Sequence, residues 1–251
     1  MSILTNNLNS ILSIKADIKS AIEAKGVDMT GISFPGYASK IGEISGGGGW
    51  DQKSFTEGTV EITNLDNTAS FVASNAFKGN INIQTVNLLY ATSVGDNAFE
   101  HCTSLTQVSL HMCSYIGRDA FNYCTSLSQV NLPMCSSIDY GAFYNCFSLN
   151  QVSLPMCAFL GENAFYNCTS LTQMSLPMCS HIGSSAFYRC RLLSIITIGY
   201  SGICSLTSPG AFNGAQITSS IGSIYVPASL VDSYKSATNW SYFSTQIFPI
   251  E

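Results

Sequence analysis

Ala120-Phe121-Asn122-Tyr123-Cys124-Thr125-Ser126-Leu127-Ser128-Gln129-Val130-Asn131-Leu132-Pro133-Met134-Cys135-Ser136-Ser137-Ile138-Asp139-Tyr140-Gly141 is one period of the chain, and Ala142-Phe143 opens the next. The same pair stands at Ala76-Phe77, Ala98-Phe99, Ala164-Phe165 and Ala186-Phe187, in each case 22 residues from its neighbour. Leu127, Val130, Leu132, Ile138 and Phe143 make up the apolar ladder of this unit. So short a unit cannot bury those side chains by itself; stacking on its neighbours removes them from water. The periodicity therefore predicts a mainly β solenoid with one rung per 22 residues. Within a rung, Gln129-Val130-Asn131-Leu132 alternates polar and apolar residues as a half-buried strand does. Pro133 ends that strand, Ser136 to Asp139 forms a second extended stretch, and a turn carries the chain into the next Ala-Phe pair.

Nine of the ten cysteines lie 11 residues apart and so fall into two columns of the repeat. One holds Cys102, Cys124, Cys146, Cys168 and Cys190; the other holds Cys113, Cys135, Cys157 and Cys179. Free cysteine packs as a small hydrophobe, which predicts two buried thiol ladders. Rungs ~4.8 Å apart would bring successive cysteines within the Cα range of a disulfide, so distance alone leaves that alternative open. Met1 to Asn7 has no basic region leading into an apolar stretch and cleavage site, which weighs against the oxidising route that disulfides need. Structural zinc needs closely paired ligands, and the spacing of these cysteines supplies none.

The rest of the chain divides around this rod. Residues 1–45 read as a helical docking or oligomerisation segment: Leu4, Leu8, Ile11, Ile18 and Ile22 keep one apolar stripe, a seam for a trimer or dimer or for another protein. The glycines at 46–49 form a flexible tether. Residues 50–67 read as an atypical N-terminal cap, with Val60-Glu61-Ile62 alternating as a strand, 68–213 as the solenoid, and 214–251 as a C-terminal cap. Phe212 falls 25 residues after Phe187, so the last turn carries an insertion around Thr207 to Gly210. In the cap, Ile224-Tyr225-Val226-Pro227 reads as a last strand, and Ser229 with Asp232 as a capping pair opening a short helix.

The pattern Ala-Phe-x-x-Cys-Thr-Ser-Leu-x-x-Val-x-Leu-Pro, with Ile-Gly about eight residues later, resembles the leucine-rich repeats of the BspA-like family. Ile224 to Tyr234 and Asn239-Trp240 are similar to the tail that closes many of those proteins. The resemblance covers about residues 68–245 and implies a right-handed leucine-rich-repeat solenoid used for adhesion to host matrix or cell surfaces. The family usually carries a secretion signal, and this sequence departs from it there. Residues 14–27, with Phe34, Tyr37 and Lys40-Ile41, instead resemble the short leader of phage tail and fibre proteins.

Composition narrows the function. Charged residues are 10% of the chain against the usual ~25%, and the net charge is −5 without a basic cluster, which argues against a nucleic-acid partner. No uncharged apolar run is long enough for a membrane span. No cofactor or metal motif is present, and His101, His111 and His181 occupy different repeat positions. His101 beside Cys102 is the sole cheap nucleophile-base pairing. Asp96, Glu100, Asp119, Asp139 and Glu162 are scattered over different positions, which disfavours a glycan hydrolase. For binding, Tyr144, Tyr166 and Tyr188 form an outward column that either stacks along the rod or meets sugar rings or protein. Tyr115, Phe159 and His181 share a second variable column with Ser137, and Gln107, Gln129, Gln151 and Gln173 are expected to form a stabilising amide ladder. Together these features predict a non-enzymatic virion component. Residues 1–45 would join other virion proteins, and the rod would bind a bacterial surface glycan or protein. The alternative is an adhesin on a bacterial cell surface.

Overall fold

The computed structural model describes residues 60–63, 71–219 and 221–251. The segment expected at 1–45, with its Leu4, Leu8, Ile11, Ile18 and Ile22 seam, and the tether at 46–49 lie outside the described residues.

Each period contributes a longer strand and a two-residue strand. The longer ones are β1 (Val60–Thr63), β3 (Ile83–Leu88), β5 (Gln107–Leu110), β7 (Gln129–Asn131), β9 (Gln151–Ser153), β11 (Gln173–Leu176) and β13 (Ile195–Ile198), continued in the cap by β15 (Ser223–Val226) and β16 (Ile247–Pro249). The short ones are β2 (Phe71–Val72), β4 (Ser93–Val94), β6 (Tyr115–Ile116), β8 (Ser137–Ile138), β10 (Phe159–Leu160), β12 (His181–Ile182) and β14 (Ser205–Leu206). All pairing is parallel, and Val108↔Val130↔Val152 or Ser137↔Phe159↔His181 shows why the period is fixed: equivalent residues of neighbouring rungs lie opposite one another. The short strands form one sheet of seven. The long strands form two, β1-β3-β5-β7-β9 and β11-β13-β15-β16, with no pairing between β9 and β11. At that break the inward series Val108, Val130, Val152 gives way to the unbranched Met174.

The side of the rung carrying the Ala-Phe pair is held by a third set of bonds. The N–H of Phe99, Phe121, Phe143 and Phe165 donates to the carbonyl of Ala120, Ala142, Ala164 and Ala186 in the next rung, at 2.7–2.8 Å. Behind this ladder the phenylalanine rings stack nearly parallel, from 5.1 Å between Phe77 and Phe99 to 5.7 Å between Phe187 and Phe212. All but the first are buried. Offset stacking of this kind adds roughly 1 kcal/mol per pair to the burial itself.

Two positions per turn adopt the left-handed conformation: Asn75, Asn97, Asp119, Gly141, Asn163 and Ser185 in one column, and Gly79, His101, Tyr123, Asn145, Asn167 and Arg189 in the other. Side chains other than glycine pay roughly 1 kcal/mol there. The geometry persists because it aims each N–H along the stack, as from Tyr123 to the Tyr144 carbonyl at 2.9 Å and from Asn167 to that of Tyr188 at 2.7 Å.

All ten cysteines are free and buried. In the first column each thiol donates to a phenylalanine carbonyl of the preceding rung, Cys124 to Phe99 and Cys146 to Phe121 at 3.1 and 3.2 Å. In the second each donates to the carbonyl two residues ahead, Cys135 to Ser137 at 3.3 Å. The disulfide alternative is not adopted, since the thiols serve as hydrogen-bonding apolar filler.

At the C-terminal end the insertion forms a 3₁₀ turn, Pro209–Phe212, with the Ser208 hydroxyl accepting from the Gly210 N–H. It leaves the ladder intact, because Phe187 N–H now donates to Ala211. Phe212 then meets Trp240 and, edge-on at 5.4 Å, Phe243, which close the stack. Trp240 Nε1 donates to the Cys204 carbonyl at 2.6 Å, and the Tyr234 hydroxyl accepts from the Cys204 N–H at 2.8 Å. Helix α1 (Val231–Ser236) starts differently from expectation: Leu230 is its N-cap and makes no side-chain cap. Ser229 is already inside a preceding 3₁₀ turn, Ala228–Leu230, so its hydroxyl cannot act as the cap.

Candidate binding face

The outward residues of the long strands form two columns. Thr85, Gln107, Gln129, Gln151 and Gln173 make one; Asn87, Ser109, Asn131, Ser153 and Ser175 make the other. A groove of about 880 Å³ runs along them, floored by Val86, Val108, Val130 and Met174, and its lining contains no charged side chain. The strands position these groups at one-rung intervals, and hydroxyl bonds between rungs fix the entry to the strands: Thr106 Oγ1 donates to the Gln84 carbonyl at 2.9 Å, and Ser128 Oγ to that of Thr106 at 3.1 Å. The groove crosses the break between β9 and β11, where Val152 is half-buried rather than enclosed.

The glutamine column is not the continuous amide ladder expected of it. Gln107 Nε2 donates to Gln129 Oε1 at 2.7 Å, but no equivalent bond joins Gln129, Gln151 and Gln173 among the described residues. Gln129 and Gln151 lie opposite one another in β7 and β9 without exchanging an amide bond, and between Gln151 and Gln173 the strands themselves do not pair. The unlinked amides face the groove.

The aromatic columns are arranged otherwise. Tyr144 and Tyr166 stack at 4.5 Å and 8°, Tyr166 and Tyr188 at 4.9 Å and 14°. The Arg189 guanidinium lies 5.5 Å over the Tyr188 ring. Phe159 and His181 stack at 4.7 Å and 4°, with His181 Nε2 3.4 Å from Thr207 Oγ1. Ser137 separates Tyr115 from that pair in the sheet register. The Tyr115 hydroxyl instead donates to Asp139 Oδ2 at 2.7 Å, a bond that pushes its pKa up to about 12. The fold thus gathers the six candidate residues into two piles and one isolated ring, with the piled rings facing each other. A further pair, His101 and Tyr123 at 4.8 Å, went unread in the sequence because neither residue belongs to a uniform column.

Groups capable of chemistry are dispersed or engaged. His101 lies 3.7 Å from Glu100, while the adjacent Cys102 thiol is buried and donates to the Phe77 carbonyl; burial pushes its pKa up to about 12. Asp139 also accepts from the Tyr140 N–H, and Asp96 Oδ1 from the Arg118 N–H. Among the described residues no group of three or more His, Cys, Asp or Glu could hold a metal ion, and no helix is long and apolar enough to cross a membrane.

A family model for the BspA type leucine-rich repeat region matches the chain in six copies, over residues 50–159, 92–218 and 136–243. None of the curated proteins compared with the chain matches it. Among solved structures, a leucine-rich repeat protein of Bacteroides ovatus is 25% identical with a TM-score of 0.59, covering 74% of this chain and 46% of its own. One from Eubacterium ventriosum is 24% identical with a TM-score of 0.56, covering 64% and 44%. The pneumococcal vaccine antigen PcpA shares the fold at 13% identity and a TM-score of 0.54, covering 77% of this chain and 56% of its own. The chain spans about half the length of these proteins.

Proposed function

The chain belongs to the BspA-type leucine-rich repeat family, and from that premise we propose that its solenoid is a non-enzymatic adhesion module acting at a bacterial surface. Its partner is a neutral glycan, or a flat protein surface of similar polarity, received in the long-strand groove. The uncharged lining carries this reading: repeated amides and hydroxyls can exchange hydrogen bonds with a polyhydroxylated chain, whereas nothing in the lining would steer an ion. Affinity per rung is expected to be small, and several rungs or copies acting together would supply avidity.

Resemblance of residues 14–27 to phage fibre leaders supports a second setting for the same module, carried on a virion with residues 1–45 as its attachment to other virion proteins. Localisation by mass spectrometry separates the two, since the protein is expected in bacterial envelope fractions in the first setting and in purified particles in the second. The binding reading is tested by retention of the full chain on immobilised neutral polysaccharides at low salt and at ~0.5 M salt. Because surface charge pairs are screened at that ionic strength, retention should persist through the change. Loss of retention at high salt would refute the groove as the contact.

A further inference from the structure

Each long strand of the middle rungs ends in a tight turn that separates two sulfur atoms. In Leu132-Pro133-Met134-Cys135 the Cys135 N–H donates to the Leu132 carbonyl at 3.3 Å, and the same bond closes Leu154 to Cys157 and Leu176 to Cys179. Proline at the second position fixes the turn, so the methionine at the third faces outward and the cysteine at the fourth faces the core. The result is an exposed thioether column, Met134, Met156 and Met178, which Met112 extends from a turn that has His111 in place of the proline, with 46–56% of each residue accessible. Immediately behind each stands Cys113, Cys135, Cys157 or Cys179, all at 0%.

We propose that Met112, Met134, Met156 and Met178 form the oxidant-accepting face of the molecule, taken by hydrogen peroxide to sulfoxides while the thiols behind them stay reduced. A thioether lone pair attacks one oxygen of hydrogen peroxide, the O–O bond breaks, and the departing hydroxide takes the proton of the transferred oxygen and leaves as water. The sulfur loses two electrons, and the peroxide gains them. This requires no ionisation of the protein, only access, and these side chains have it. A thiol reacts through its thiolate. Burial raises the pKa of Cys113 to about 11 and of Cys135 to about 12. Cys179 is the exception, since the Cys204 thiol of the next rung hydrogen-bonds to it and pulls its pKa down, yet it too is enclosed. Sulfoxidation converts an apolar rim at the ends of the groove strands into a polar one.

Met174 supplies the internal control, being the same chemical group at 2% exposure on the inward side of β11. The native full chain is treated with hydrogen peroxide and oxygen uptake is assigned residue by residue by peptide fragmentation. One oxygen should appear on each of the four rim methionines about tenfold or more faster than on Met174 or on any cysteine, and that gap should close in denaturant. Oxidation of Met174, or of the cysteines to sulfenate or disulfide, at rates matching the rim would overturn the proposal. So would a rim that resists peroxide in the folded protein.

Discussion

The phenylalanine side of the solenoid and its long-strand face are built from the same period, yet one is uniform and the other is not. On the phenylalanine side a ring and a backbone bond recur from rung to rung, joined by a thiol in each rung from Phe99 to Phe187, and even the insertion before Phe212 passes without interrupting the stack. On the long-strand face the outward residues vary, pairing stops between β9 and β11, and the groove crosses that stop. Interior columns are constrained because each residue is the packing partner of its copies above and below. Outward positions answer only to solvent or to a ligand. Cohesion therefore lies on one side, and recognition is assigned to the other.

The comparison can be broken most severely through pH. Cys102, Cys113 and Cys135 have pKa values pushed up to about 12, 11 and 12 by burial, whereas the unfolded thiols ionise near the usual value. The unfolded chain therefore loses protons first as pH rises, and stability falls from the usual thiol range upward until the folded values are reached. At pH 10 the loss is about 2 kcal/mol for each such thiol, so denaturant midpoints should collapse between pH 8 and pH 10. A flat profile there would contradict the thiol columns as drawn.

Phe143→Ala attacks the same side by packing. Its ring is fully buried between Phe121 and Phe165, 5.2 Å from each. Truncation should cost about 3–5 kcal/mol in chemical denaturation, with hydrogen exchange accelerated in both adjoining rungs. Tyr166→Ala removes a half-exposed ring between Tyr144 and Tyr188 and should cost only about 1 kcal/mol by the same assay. Gln129→Ala, on the recognition side, should alter stability by no more than about 0.5 kcal/mol while weakening retention on polysaccharide.

Much of the cohesive side was legible in the sequence. Phe77 to Phe187 at a constant spacing, the two cysteine columns and the shifted Phe212 all announce a stack, because burial constrains residue type in every rung. Less legible was whatever depends on small departures from the repeat. Met174 in place of valine reads as a conservative change, yet it stands at the break in the long-strand sheet. Glutamines in register predict an amide ladder, and only Gln107 and Gln129 make the bond. Tyrosines in register leave open whether they meet a ligand or each other; ring distances of 4.5 and 4.9 Å had to be seen. Ser229 and Asp232 have the spacing of a capping box, but the chain enters α1 through a 3₁₀ turn that moves the cap to Leu230.

The most direct test of this division of labour is one binding assay on three proteins: the parent chain, a groove variant carrying Gln129→Lys and Gln151→Lys, and a ladder variant carrying Tyr144→Ser and Tyr166→Ser. Each would be measured for retention on bacterial cells and on immobilised neutral polysaccharide after its fold is verified by thermal melting. The groove variant should melt like the parent and lose retention about tenfold or more, while the ladder variant melts lower and binds like the parent. Binding lost in the ladder variant and kept in the groove variant would place recognition on the tyrosines and contradict the account.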